Sequence, residues 1–323
     1  MDLGIVVVSY NTCALTANCL DSVYRALAAF PLDAHVWVVD NASTDGSAAM
    51  LRERFPQAAL LASQENLGFA RGTNAGLERI AAEPTPPRHV LLLNPDTLVE
   101  PDALSRMVAF LDEHPRVGAV GAQLQYGDGS FQHGAFHFPT LGMALFDFWM
   151  IHHRLLDSRL NGRYPRRLYA AGQPFPIDHP LGAALMARWE TMRQVGFLDP
   201  GFFMYCEEID WCLRTRRAGW EIYCVPQAII THLAGQSTQQ FRDAMFVALW
   251  RSRYRLFAKH YNPLYRQLVR WIVRGGLQRR VRETERAARA GELTAEEVAR
   301  RVAAYRQVME LPDGNIEYSR TGA

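Results

Sequence analysis

The sequence predicts an α/β fold: a mostly parallel central sheet flanked by helices, with a C-terminal helical extension. Three observations lead there. Short aliphatic runs at Leu3–Ser9, His35–Val39, Ala59–Leu61 and Val90–Leu93 alternate with segments of helical apolar spacing. That order builds parallel strands joined by right-handed crossovers. The run Val90-Leu91-Leu92-Leu93 has no polar position, so it reads as a strand buried on both faces. Polar clusters of small residues follow the first, second and fourth runs directly. They therefore converge on the carboxyl edge of the sheet, where open α/β folds bind ligands.

Length and composition bound the alternatives. A chain of 323 residues, 49% hydrophobic and 21% charged, can bury a full core. It divides into a domain over residues 1–240, whose halves meet near residue 125, and an extension over 241–323. No apolar run approaches the ~18 residues of a spanning helix. Asp2 near the start, with no cleavage site after the first run, speaks against a signal peptide. Five cysteines without a C-x-x-C pair point to reduced thiols rather than a zinc site. Together these features predict a cytoplasmic protein.

Taken in order, Leu3–Ser9 ends at Tyr10-Asn11-Thr12, and a helix runs from about Ala14 to Phe30 on Leu20, Val23 and Leu27. His35–Val39 ends at Asp40-Asn41-Ala42-Ser43-Thr44-Asp45-Gly46-Ser47, ahead of a helix over Met50–Phe55. After Ala59–Leu61 comes Asn66-Leu67-Gly68-Phe69-Ala70-Arg71-Gly72-Thr73-Asn74-Ala75-Gly76, which leads into a helix to about Ala82. The fourth strand must stop at Pro95, which has no N–H to donate. Asp96 is thus held at a strand end, and beside Asn94 and Thr97 it suits a hydrated divalent cation carrying a nucleoside diphosphate. The competing role is a cap for the helix that begins near Pro101. Tyr10 offers a ring for a nucleobase, Asp40 a carboxylate for an imide N–H, and the 66–76 loop a close approach for a diphosphate. Singly, such residues are more often turns and caps, and Asn41, Ser43 and Asp45 fit caps well. Three such loops on one edge favour a nucleotide site.

VVVSYN, VVDNASTDGS, NLGFARGTNAGL and LLLNPDT, in this order and spacing, resemble the nucleotide-binding half of the family-2 glycosyltransferases. The rhamnosyltransferase-like branch, which acts in cell-surface polysaccharide assembly, is the nearest match, and the likeness covers about residues 3–240. It implies the GT-A fold, a Rossmann-like sheet, and a nucleoside-diphosphate sugar, dTDP- or UDP-linked, as donor. It implies donor contacts from Ser9, Tyr10, Asn11, Asp40, Asn41 and Asp45, and from Asn66, Gly68, Arg71, Gly72 and Asn74. Of these, Tyr10, Asp40 and Arg71 would address the base and diphosphate. Asn94 and Asp96 would occupy the family's D-x-D position for Mg2+ or Mn2+. Asn94 replaces the first Asp of that motif, which removes one carboxylate.

In the second half, Val117–Gln125 reads as a strand and Gly127-Asp128-Gly129 as a hairpin signal. Residues 131–176 are aromatic and irregular, the signature of a functional wall or lid, here over the acceptor. Gly182–Arg188 and Trp220–Val225 read as strands. Between them, Glu207, Glu208 and Asp210 open a helix after an aromatic run. Three acids there could simply complement the helix dipole. Yet Glu207 and Asp210 share one face while Glu208 is turned about 100° away, and burying a charge beside aromatics is costly unless it is used. The segment resembles the family's E-D-x-D motif, whose second residue is the catalytic base. That residue is Glu208 here, one methylene longer than the usual Asp. His232 matches the family's H-x-x-G-x-S segment, which implies a metal ligand beside Asp96.

The extension carries ten cations between Asp243 and Glu283 and no acid. Its helices, broken at Pro263, read as basic and amphipathic, suited to an anionic membrane surface rather than nucleic acid. Residues 283–309 read as a solvated helix. The composite expectation is an inverting glycosyltransferase, peripheral at the inner face of the cytoplasmic membrane. It would move a sugar, L-rhamnose by the branch resembled, to a hydroxyl of a lipid-linked saccharide. The alternatives are a sugar-1-phosphate nucleotidyltransferase and a catalytically silent membrane scaffold of the same fold.

Overall fold

The computed structural model describes residues 1–149, 155–233 and 242–312. Strands β1 (Leu3–Ser9), β2 (Ala34–Asp40), β3 (Ala59–Ala62) and β4 (His89–Leu93) form a parallel set in the order β3-β2-β1-β4. Helices α1 (Cys13–Ala29), α2 (Ser47–Arg54) and α3 (Gly68–Ala81) make the crossovers. Every residue of β1 and β4 is buried, which is why neither run alternates polar with apolar.

A short strand missed by the sequence, β5 (Thr97–Val99), follows Asp96 and precedes α4 (Ala103–Glu113). Then come β6 (Val117–Gln125) and β7 (Phe131–Gln132), joined by the hairpin that Gly127-Asp128-Gly129 signals, with Gly129 at φ +79°. The stretch expected to be irregular contains β8 (Ala135–Phe136), α5 (Leu141–Phe146), α6 (Arg166–Ala170) and β9 (Phe175–Pro176), and β10 (His179–Pro180) follows it. After it stand β11 (Ala184–Arg188), α7 (Trp189–Val195), α8 (Glu207–Arg217) and β12 (Glu221–His232). The main path of the sheet is β3-β2-β1-β4-β11-β6-β12-β5.

The second half is mixed rather than parallel. β11 runs antiparallel to both β4 and β6 and joins the two parallel sets, while β5 and β9 pair antiparallel with β12. β12 also continues well past Val225. Its register slips between Val225 and Ile229, around Pro226, and the strand resumes to His232. That continuation sets His232 opposite Thr97 of β5.

One face of the sheet packs on α1 and α4 through Leu20, Val23, Leu104 and Met107. The other packs on α3, α7 and α8 and shares its core with the C-terminal helices through Trp250, Tyr254, Phe257 and Val269. Those helices are α9 (Arg242–His260), α10 (Pro263–Arg289) and α11 (Ala295–Glu310). Pro263 opens α10 behind the Asn262 cap. The expected solvated helix over 283–309 is instead two helices. Gly291 turns the chain at φ +76°, and a Thr294–Glu297 capping box restarts it. Ala304 and Val308 of α11 are buried.

Much of the basic block faces inward. Arg253 pairs with Asp147, Arg255 and Lys259 with Asp199, and Lys259 also with Asp210. Arg270 and Arg280 donate to main-chain carbonyls of Leu311 and Asp147.

Candidate active site

Loops at the ends of β1, β2 and β4 meet the entry to α8 around a cleft of about 320 Å³. The first half contributes Tyr10, Asn41, Asn66, Gly68, Asn94 and Asp96 to its lining, and the second half Glu207, Glu208 and His232. Leu181, Gly182, Met204 and Tyr205 also form part of the wall. Nothing in the sequence singles these four out as cleft residues, because their side chains carry no charge and read equally well as packing.

Asp96 and His232 are brought together by the ladder between β5 and β12. The Leu233 N–H donates to the Asp96 carbonyl at 2.9 Å, and His232 Nε2 stands 3.5 Å from Asp96 Oδ1. Both side chains are buried. Two donors at that spacing can share one ion with bonds of about 2.1 Å. Among the described residues no three His, Cys, Asp or Glu side chains form a metal cluster, so a diphosphate and water would have to supply the other ligands. Asn94 also lines the cleft. The Gly235 and Ser237 positions of the motif lie outside the described residues.

Glu207 and Glu208 open α8 after Tyr205 and Cys206, two non-glycine residues with φ of +70° and +68°. Glu207 is 4% exposed, and its Oε2 has no partner among the described residues. Glu208 is half-buried at the cleft wall, where a Cβ on Gly182 would stand 3.4 Å from its Cδ. Burial pushes Glu207 well above the usual carboxylate range, and Glu208 adds to the effect. Burial likewise raises Glu208 to about 7, against the pull of N–H groups at the helix start. One acid of the pair is therefore suited to hold a proton and the other to accept one.

Asp210 lies away from the cleft lining. It is fully buried and bonds Arg214 Nε at 2.9 Å, Lys259 Nζ at 2.7 Å and His260 Nε2 at 2.6 Å. Its helical position puts it on the far side of α8 from Glu208, toward α9. The sequence could not show that α9 would pack there.

The remaining donor residues divide. Tyr10 is 39% exposed at the cleft. Asp40, just outside the cleft lining, is buried, takes the Ser43 N–H at 3.4 Å on Oδ2, and leaves Oδ1 without a partner among the described residues. Asn66 accepts the Gly68 N–H, and Asn41 bonds both Leu67 and Gly68. Ser9 is locked with Thr12 and Thr16 by hydroxyl bonds, Asn11 ties to Ser43 and Thr44, and Asp45 takes N–H groups of Cys13 and Ser47. These three build the loops and are not among the cleft-lining residues. Arg71, Gly72 and Asn74 do not line it either. Arg71 donates to the Pro200 carbonyl, Asn74 bonds Leu198, and Gly72 lets α3 approach Val8.

Comparison with known proteins gives this geometry a lineage. The family model for glycosyl transferase family 2 matches residues 4–184. The chain belongs to that family. This glycosyltransferase is 29% identical over 253 residues to the N-acetylglucosaminyl-diphospho-decaprenol L-rhamnosyltransferase of Mycobacterium tuberculosis, covering 75% of this chain and 80% of the relative. It is 24% identical to rhamnosyltransferase WbbL of Escherichia coli K12, over 59% of this chain and 70% of that one. Its fold is that of the mannosyltransferase PcManGT from Pyrobaculum calidifontis, solved with GDP-Man and Mn2+. The TM-score is 0.56 at 19% identity, over 95% of this chain and 82% of the other. The glycosyltransferase is thus rhamnosyltransferase-like and has the GT-A fold.

Proposed function

We propose that this glycosyltransferase moves L-rhamnose, with inversion, from a dTDP- or UDP-linked donor to a hydroxyl of a lipid-linked saccharide. The observation that carries the reading is the single cleft lined by Asp96, His232 and Glu208. The rhamnosyltransferase relatives supply the sugar and the lipid-linked acceptor.

In this mechanism Tyr10 stacks on the nucleobase and the unpartnered Asp40 Oδ1 accepts its imide N–H. A divalent ion, Mg2+ or Mn2+, held by Asp96 and His232 would neutralise charge on the departing diphosphate. Glu208 takes the proton of the acceptor hydroxyl as its oxygen attacks the anomeric carbon. The bond to the diphosphate breaks on the opposite face, and the electron pair leaves with the diphosphate. Glu207, whose burial favours the protonated form, donates a hydrogen bond to a substrate hydroxyl.

Residues 1–240 form the catalytic unit and 241–323 carry it to the membrane. Leu264 is 67% exposed and Trp271 62% exposed on α10. With Arg274 and Arg282, both exposed, they share one helical face, which suits an anionic surface. Assay of transfer and hydrolysis with a panel of sugar nucleotides tests the activity. Turnover of dTDP- or UDP-rhamnose above all others is expected; a different preferred sugar, or none, would overturn it.

A further inference from the structure

His232 is approached from both ring nitrogens. Its Nε2 faces Asp96, and its Nδ1 stands 3.1 Å from the side-chain amide of Gln132. Gln132 is 7% exposed, on β7, where the hairpin pairs it with Leu124 of β6. In the arrangement described, Gln132 Nε2 donates to His232 Nδ1, so the proton of a neutral ring sits on Nε2. A ring in that tautomer can donate toward Asp96 but has no lone pair on Nε2 for a metal. Ligation through Nε2 requires the proton on Nδ1 and an acceptor to receive it.

Gln132 carries that acceptor on the same amide. Its Oε1 is buried and has no hydrogen-bond partner in the structure described. Half a turn about the last side-chain bond exchanges Oε1 and Nε2 and breaks one hydrogen bond, that to Nδ1. A carboxylate at this position could serve only the ligating tautomer, and an apolar side chain neither.

We propose that Gln132 is a positioning residue for the metal, an amide that turns over as the ion binds. Without the ion it donates to Nδ1 and Nε2–H faces Asp96. With the ion it accepts from Nδ1–H and the Nε2 lone pair points into the cleft. The ring loses one proton at Nε2 and gains one at Nδ1, so no net charge changes. The inference rests on Asp96 and His232 holding the ion, as proposed above.

Titration calorimetry of Mn2+ with UDP and with dTDP tests it in the full chain, using wild type, Gln132→Met and Gln132→Glu. Gln132→Met should weaken Mn2+-dependent nucleotide binding by about 10- to 100-fold, whereas Gln132→Glu should bind at least as tightly as wild type. Nitrogen-15 NMR of labelled histidine, with the His232 signal assigned by its loss in His232→Ala, should show the Nε2–H tautomer without metal. Addition of Mg2+ and nucleotide should convert it to Nδ1–H. If wild-type binding depends on Mn2+ while Gln132→Met equals it, or Gln132→Glu falls as far as Gln132→Met, the role of Gln132 is wrong and the metal site stands. If wild-type binding of either nucleotide is unchanged by EDTA, the metal site itself is wrong and the inference falls with it.

Discussion

Asn74 and Leu198 bond each other in both directions: the Asn74 amide donates to the Leu198 carbonyl at 2.8 Å and accepts the Leu198 N–H at 3.1 Å. Beside them Arg71 Nε donates to the Pro200 carbonyl at 3.0 Å, and the Phe69 N–H to the Phe203 carbonyl at 2.7 Å. Gly68 makes this approach feasible, since a Cβ there would run into Phe203. The start of α3 is therefore sewn to the stretch that enters α8. That stretch ends in the left-handed pair Tyr205–Cys206, a conformation costing roughly 1–3 kcal/mol per residue unless its surroundings hold it.

Arg71 and Asn74 should then act on the base helix more than on the donor. Arg71→Ala and Asn74→Ala should lower kcat by about 10- to 100-fold, as small misplacements of reacting groups do. Nucleotide affinity by calorimetry should stay nearly unchanged. Loss of affinity with kcat preserved would instead make Arg71 a diphosphate ligand.

Asp210 should be a stability residue. Burial alone would raise its pKa, but His260, Lys259 and Arg214 outweigh burial and hold it at about 2. A carboxylate depressed from 3.8 stabilises the fold above that value and loses the contribution as pH falls toward 2. The shift corresponds to about 2 kcal/mol. Asp210→Asn should lower Tm at pH 7 and flatten the acid limb of stability between about pH 4 and 2. An unchanged Tm with a raised acceptor KM would put Asp210 in the acceptor site instead.

The first half of the fold was legible because each strand is a short apolar run closed by turn chemistry, as at Leu93-Asn94-Pro95. That Asp96, Tyr10 and Asn41 reach the cleft was legible for the same reason, since each lies within three residues of the end of a buried strand. β11 was readable as a strand but not in its direction, which depends on pairing with β4 and β6 rather than on composition. The roles of Gln132, His260 and Lys259 were hidden, since each is defined by a partner about 50 to 100 residues away. The motif resemblance placed Arg71 and Asn74 near a diphosphate, whereas their side chains bond the backbone of residues 198–200. A loop rich in Gly and Asn looks alike whether it cradles a ligand or another loop.

Asp96 should govern the metal. Asp96→Asn should abolish Mn2+-dependent binding of UDP or dTDP in calorimetry with Tm nearly unchanged, and His232→Ala should weaken it less. Undiminished metal-dependent binding in Asp96→Asn would remove Asp96 from the ligand set.

The exposed face of α10 should bind anionic vesicles reversibly. Each cation near such a surface contributes about 1 kcal/mol at best, and inward pairing of Arg253, Arg255, Lys259, Arg270 and Arg280 leaves few for it. Sedimentation should show weak, salt-sensitive binding that Trp271→Ser together with Arg274→Ser abolishes. Equal binding to neutral vesicles, or no effect of the double variant, would refute the surface.

Glu208 as the base is tested most directly by the pH dependence of kcat in wild type and Glu208→Gln. A carboxylate raised to about 7 by burial must lose its proton to act, so wild-type kcat should climb with pH through that value and level off above it. Glu208→Gln should lower kcat by about 10²- to 10⁴-fold, abolish that limb, and leave nucleotide affinity unchanged. Glu208→Asp should retain part of the rate. A Glu208→Gln enzyme that keeps both its turnover and its rise near pH 7 would contradict the assignment.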